Sequence, residues 1–259
     1  MKDLSELAGL PLSLDEGGRL RFTEGLPAVE PAVRKLSEVR EVLADPEASG
    51  PEDLYFMYRD VGFPDDKANL HQNSLRYDVT VILPRMLGRE FNKTAGHYHP
   101  PVPGTKVTYP EVYEVVNGVA HYLLQKPGPE GRGAEDVIVV VARAGDKVLV
   151  PPGYGHITIN PGPETLVMTN LVEAEFRSVY DPIREARGGA YYEIAEDGNS
   201  VFVVNQSYPE VPDLKVQEAR PNPECGLARG VPLYRAAVEN PTAYQYLIRP
   251  QDFLARLKI

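Results

Sequence analysis

Residues 111–127 read EVYEVVNGVAHYLLQKP, two runs of branched and aromatic residues broken at Asn117-Gly118. Such runs read as strands, because branched and aromatic side chains fit a pleated, half-buried surface. Asn-Gly accepts the left-handed backbone of a two-residue turn, which marks a hairpin. The same texture repeats on both sides: LYFMYRDV from Leu54, LRYDVTVIL from Leu75, DVIVVVA from Asp136, KVLV from Lys147, HITI from His156 and TLVMTNLV from Thr165. AYYEIA and SVFVVNQ then flank the turn Glu196-Asp197-Gly198-Asn199. Short strands with turns about every eight to twelve residues predict a mainly β protein, an antiparallel barrel or sandwich.

The flanks read differently. After Pro31, the apolar residues Ala32, Val33, Leu36, Val39, Val42 and Leu43 recur at three- and four-residue steps, which predicts an amphipathic helix over Ala32–Leu43. Beyond Tyr208 the strand pattern fades into a Pro-rich loop, a helical stretch at PLYRAAVEN and a last segment QDFLARLKI. The division that follows is an N-terminal segment with one helix (1–52), a barrel (53–208) and a C-terminal extension (209–259). An extension of about fifty residues with so few apolar groups is too small to fold alone, so it should pack on the barrel or on a dimer partner.

Composition narrows the function. The chain of 259 residues is 42% hydrophobic, with a formal charge of −10. It lacks the basic stripe that nucleic-acid binding needs, and no apolar run approaches the ~20 residues that span a bilayer. The first residues, MKDLSELAGLPLSLDEGG, are broken by acids and do not read as a signal peptide. One cysteine, Cys225, excludes an internal disulfide and fits a reducing compartment. These features point to the cytoplasm.

The chemistry gathers on the histidines, of which there are five. His97 and His99 are two residues apart, a spacing that puts both imidazoles on one face of a strand. Glu111 opens the strand EVYEV, in which Glu114 must point the other way. His156 arrives at the end of Gly145-Asp146-Lys147-Val148-Leu149-Val150-Pro151-Pro152-Gly153-Tyr154-Gly155, where proline and glycine build a tight turn before the next strand. Three imidazoles and a carboxylate suit one borderline divalent ion per chain, Fe²⁺ or Mn²⁺ in first place, with Ni²⁺ or Zn²⁺ as alternatives.

The His156 segment, and the placing of Glu111 seven residues before Gly118, resemble the two motifs of the cupins. That resemblance implies a double-stranded β-helix (jelly-roll) barrel. Two features depart from the general pattern: the longer gap between His99 and Glu111, and Phe91 where a glycine is expected. GREFNKTAGHYHP, YPEVYEVVNGVAHYLLQKP and VPPGYGHITIN together resemble the cupin-type glucose-6-phosphate isomerases (phosphoglucose isomerases) of archaea and some bacteria. The likeness runs over about residues 53–195. It implies a homodimer that interconverts glucose 6-phosphate and fructose 6-phosphate, with metal ligands at His97, His99, Glu111 and His156. Phosphate and sugar contacts then fall on Thr80, Thr94, Gly96 and Tyr113, with Tyr180 matching a tyrosine that lines the site. Further on the chain departs from the family: Ser178 stands where a histidine is expected, and Leu171 or Val172 where a tyrosine is.

Glu111 is the candidate base, with Tyr113 beside it on the same face of the strand. Lys93 is a candidate phosphate cation next to Thr94. Two rivals use the same donor set: a cupin metal-dependent dioxygenase, told apart by oxygen uptake, and a non-catalytic sugar-phosphate-binding cupin, told apart by binding without turnover.

Overall fold

The computed structural model describes residues 1–259, and ten of its strands build a barrel. They are β1 (Ala32–Lys35), β2 (Asp53–Tyr58), β3 (Leu75–Ile82), β4 (Glu111–Asn117), β5 (Val119–Pro127), β6 (Ala134–Arg143), β7 (Lys147–Val150), β8 (Gly155–Ile159), β9 (Leu166–Glu173) and β10 (Lys215–Glu218). One sheet has the order β7-β4-β9-β3-β2-β1 and the other β8-β5-β6-β10. Every pair is antiparallel except β6 with β10. The chain alternates between sheets as it winds, the double-stranded β-helix of a cupin.

That winding corrects the reading of Asn117-Gly118. β4 ends at Asn117 and β5 begins at Val119, yet the two strands lie in different sheets and do not pair. The dipeptide is a corner between layers. Gly118 is needed there, because its φ is +82° and a Cβ would stand 3.2 Å from the Thr165 carbonyl. Asn117 Nδ2 donates to that same carbonyl at 2.6 Å, tying the corner to the loop before β9. A tight hairpin does form where Asp197 and Gly198, both at positive φ, join Tyr191–Glu196 to Asn199–Val204.

The helix expected over Ala32–Leu43 is also corrected. Ala32–Lys35 is strand β1, paired with β2, and helical turns cover only Leu36–Val42. Both periods fit so short an apolar pattern; the free edge of β2 decided for strand, since its backbone groups need partners. The barrel sheet thus reaches into the segment before residue 53.

The first sheet is covered on both faces. On β4, Tyr113 and Val115 join the core between the sheets with Tyr122, Leu124, Val148 and Met168. Val112 and Val116, alternating with them, join a second core with Leu12, Tyr77, Leu233, Tyr234 and Tyr244. The two terminal segments therefore roof the outer face of the sheet. A buried ion pair pins the roof: Lys147 Nζ lies 2.8 Å from Glu114 Oε1 and donates to the carbonyls of Ala228 and Val231. Glu114 Oε2 in turn accepts the N–H of Leu233, which opens the helix Leu233–Glu239.

Removing one member of such a pair leaves the other charged and desolvated, a loss of about 3–5 kcal/mol. Glu114→Ala should lower unfolding free energy by that order in urea titration, and expose 219–259 to limited proteolysis before the barrel is cut.

Candidate metal centre

Register brings the four donor residues together. The segment 92–98 runs along β8, with the Thr94 N–H donating to Thr158 O at 2.9 Å. His97 and His156 sit directly opposite and exchange both backbone hydrogen bonds, at 3.2 and 3.0 Å, so their side chains share a face. Tyr98 points away, and its hydroxyl accepts from Gln125 Nε2. His99 then returns to the face of His97, as the two-residue period requires. The opposite sheet contributes Glu111 from the start of β4, where it pairs with Val150.

The donor atoms of His97, His99, Glu111 and His156 all lie within 4.8 Å of one another. Nε2 of His99 is 3.3 Å from Nε2 of His97, and Glu111 Oε2 is 3.2 Å from His99 Nε2 and 3.3 Å from His156 Nε2. Neighbouring ligands held at about 2.1 Å from an octahedral ion are about 3 Å apart, so the spacing fits one ion. Glu111 Oε2 is buried beside these two nitrogens and has no other polar partner. His99 Nδ1 lies 2.8 Å from the Tyr109 carbonyl, an acceptor only, so Nδ1 carries the proton and Nε2 keeps its lone pair for the cluster.

Protonation agrees with this arrangement. Burial, followed by the neighbouring imidazoles, holds His97 well below the ordinary histidine value of 6.5. Burial likewise lowers His156, against the pull of Glu111. Burial alone would raise Glu111, but His156 and His99 outweigh it and keep the carboxyl well below its usual range. Burial and then Glu111 push the Tyr113 phenol well up, and its hydroxyl sits 3.0 Å from His156 Nε2. Neutral imidazoles beside an ionised carboxylate are the forms a divalent ion binds. The residues fit the group.

One cavity holds the cluster and most of the other candidates: Thr80, Thr94, Gly96, Tyr113 and Tyr180 all line it. Gly96 has φ +80°, and a Cβ there would stand 2.5 Å from Ile157 Cγ1, so only glycine keeps this wall. Lys93 is the exception. Its ammonium pairs with Glu90, donates to Val42 O at 2.8 Å and faces the Tyr192 ring, on the far side from the cavity. Alternation explains the correction: with Thr94 facing in, Lys93 faces out.

Sequence reading missed four polar lining residues. Tyr55 accepts the Ala95 N–H, Asn170 and Arg76 stand on adjoining strands, and Arg59 follows the end of β2. The period-two pattern of β3 and β9, followed inward from Thr80, could have found Arg76 and Asn170. Nothing in the sequence marks Arg59.

A barrel of this topology with three histidines and a glutamate converging on its inner wall defines a cupin whose donor cluster could hold a metal ion. Comparison then narrows the class. The chain belongs to the glucose-6-phosphate isomerase family, whose family model matches residues 33–212. It is 29% identical over 199 residues to the glucose-6-phosphate isomerase of Thermococcus litoralis, covering 74% of this chain and 95% of that one. It is 30% identical to that of Thermococcus onnurineus, covering 70% and 88%. Among solved structures, a predicted oxalate decarboxylase from Thermotoga maritima is 14% identical, aligned over 57% of this chain and 96% of its own, at a TM-score of 0.35.

Imidazoles held neutral in the fold take up protons only on unfolding, so the unfolded chain binds more protons just below 6.5. Without metal, stability should fall as pH drops from about 7.5 to about 5.5, a window above the range where Glu111 titrates. His97→Gln should flatten that slope in urea titrations, and an unchanged slope would contradict the assigned protonation.

Proposed function

We propose that this chain interconverts glucose 6-phosphate and fructose 6-phosphate at the His97–His99–Glu111–His156 cluster. What carries the reading is one cavity in which the family's motif segments supply all four cluster residues. Iron(II) or manganese(II) suits a set of three nitrogens and one carboxylate. A bound divalent ion would supply Lewis-acid polarisation of the sugar oxygens at the reacting carbons.

The chain's own residues do the rest. The phosphate rests against the hydroxyls of Thr80 and Thr94 and the backbone at Gly96. Anchoring that remote group aligns the other end of the sugar with Glu111. Glu111, ionised in the fold, takes the proton from C2. The electron pair forms C1=C2, and negative charge moves to the oxygen of the former C1 aldehyde. Return of the proton to C1, with transfer of the C2 hydroxyl proton to the C1 oxygen, gives the ketose. Tyr113 stays protonated and steadies His156 from beside it. Tyr180, its ring 5.4 Å from that of His97, closes the cavity.

No helix of the chain is long and apolar enough to cross a membrane. The acidic composition and the single buried thiol of Cys225 support a place in the cytoplasm, and the family likeness supports a homodimer. We propose the residue ranges 1–52, 53–208 and 209–259 as working divisions of one folding unit.

Metal-reconstituted protein given fructose 6-phosphate should form glucose 6-phosphate in a coupled assay, and chelation should abolish turnover. His97→Ala and His156→Ala should lose both bound metal and turnover while keeping the circular dichroism of the barrel. Glu111→Gln should retain part of the metal and lose about two or more orders of magnitude in kcat. Deuterium from D₂O should appear in the product; metal-loaded Glu111→Gln with near-normal turnover would end the base role.

A further inference from the structure

The wall beside Glu111 carries a polar group that the mechanism above leaves unused. Asp78 on β3 is fully buried and holds two guanidiniums: Arg59 Nη1 donates to its Oδ2 at 2.7 Å, and Arg76 Nε to its Oδ1 at 2.9 Å. Arg76 Nη2 also donates to Oδ2 at 3.0 Å, and the Asp60 N–H to Oδ1 at 2.8 Å. Arg76 is further fixed by the carbonyl of Ala174, at 2.7 Å. Across the sheet Asp78 pairs with Asn170, and Asn170 with Tyr113. Asn170 is 2% exposed and lines the cavity, yet its Nδ2 has no hydrogen-bond partner.

Two observations converge here. A buried amide N–H₂ without a partner is costly to keep, and such groups concentrate where a bound molecule completes them. Arg59 and Arg76 are also the only cationic side chains that line this cavity, in a chain whose formal charge is −10. Two guanidiniums against one carboxylate leave the wall with a net charge of one positive unit. That charge is fixed in place before any ligand arrives, which is what stabilisation of a developing negative charge requires. Its position decides which charge is meant: Asn170 adjoins Tyr113, two residues from Glu111, at the end of the sugar where the proton moves.

We propose that Asn170 and Arg59 donate hydrogen bonds to the C1 oxygen as it gains negative charge, with Asp78 and Arg76 as positioning residues. This rests on the isomerase reading with Glu111 as base. Arg59 keeps N–H groups for the task, because Asp78 takes one and Met57 Sδ another, and its side chain is about half exposed. Asp78 ties both guanidiniums to one buried carboxylate and so holds them at this wall.

The test compares wild type, Asn170→Ala and Arg59→Met in the metal-loaded enzyme. Arg59→Met leaves Asp78 bonded to Arg76 and Asp60, so that variant keeps the fold even if Asn170→Ala does not. Each variant should lose about 10- to 100-fold in kcat, with KM for fructose 6-phosphate changed less than about threefold. The acid formed by oxidising C1 of glucose 6-phosphate carries a carboxylate where the oxyanion forms. It should bind at least about tenfold more weakly to Arg59→Met, whereas competitive inhibition by inorganic phosphate should be unchanged. Wild-type kcat in Arg59→Met overturns the proposal. So does a raised inhibition constant for phosphate with kcat intact, which would make the wall the phosphate seat. Turnover by wild type separates the two readings: an inactive wild type sinks the isomerase reading together with this one, and an active wild type with active variants sinks this one alone.

Discussion

Glu111 is a carboxylate placed in the interior of a barrel among three imidazoles, and the surrounding architecture answers to that placement. Desolvation opposes its charge. It stays ionised because His99 and His156 approach within about one ligand-to-ligand distance, and because their spacing admits a cation among them. Each neighbour is held by something outside the cluster. The Tyr109 carbonyl sets the tautomer of His99, paired backbone bonds set His97 against His156, and Tyr113 sits beside the His156 ring.

The same strand carries a second buried acid with the opposite role. Glu114 lies on the outer face of β4, paired with Lys147 and with the first N–H of the C-terminal helix. Alternation thus gives one strand an acid that meets the metal site and an acid that fastens the roof. Burial raises Glu114, with Lys147 pulling against it, whereas the imidazoles lower Glu111. The two termini are part of the barrel's stability in this sense: without them Val112, Val116 and Tyr77 would face water.

Much of the site was legible because strand periodicity is local. His97 and His99, two apart, share a face whatever surrounds them, and Glu111 and Tyr113 do likewise. The turn that delivers His156 is written in Pro151, Pro152 and Gly153. Lys93 was misplaced by proximity in sequence to Thr94, although the same period-two rule sends it to the opposite face. The region around Asn117-Gly118 was read as a hairpin because the dipeptide specifies a tight reversal of backbone but not the sheet that receives the next strand.

By itself the sequence determined the β architecture, the four residues of the donor cluster and the family, since each depends on residue type and short spacing. Only the tertiary structure decided that Ala32–Lys35 would be strand, because the free edge of β2 lies outside that segment. It alone decided that the corner at Gly118 passes between sheets, where the Thr165 carbonyl leaves no room for a Cβ. The cationic wall was likewise invisible in the chain order: Arg59, Asp78 and Asn170 are far apart along it and meet only through the register of β2, β3 and β9. Register is set by which faces are buried: the inner face of that sheet packs against the second sheet, and segments from the two ends of the chain bury the outer one.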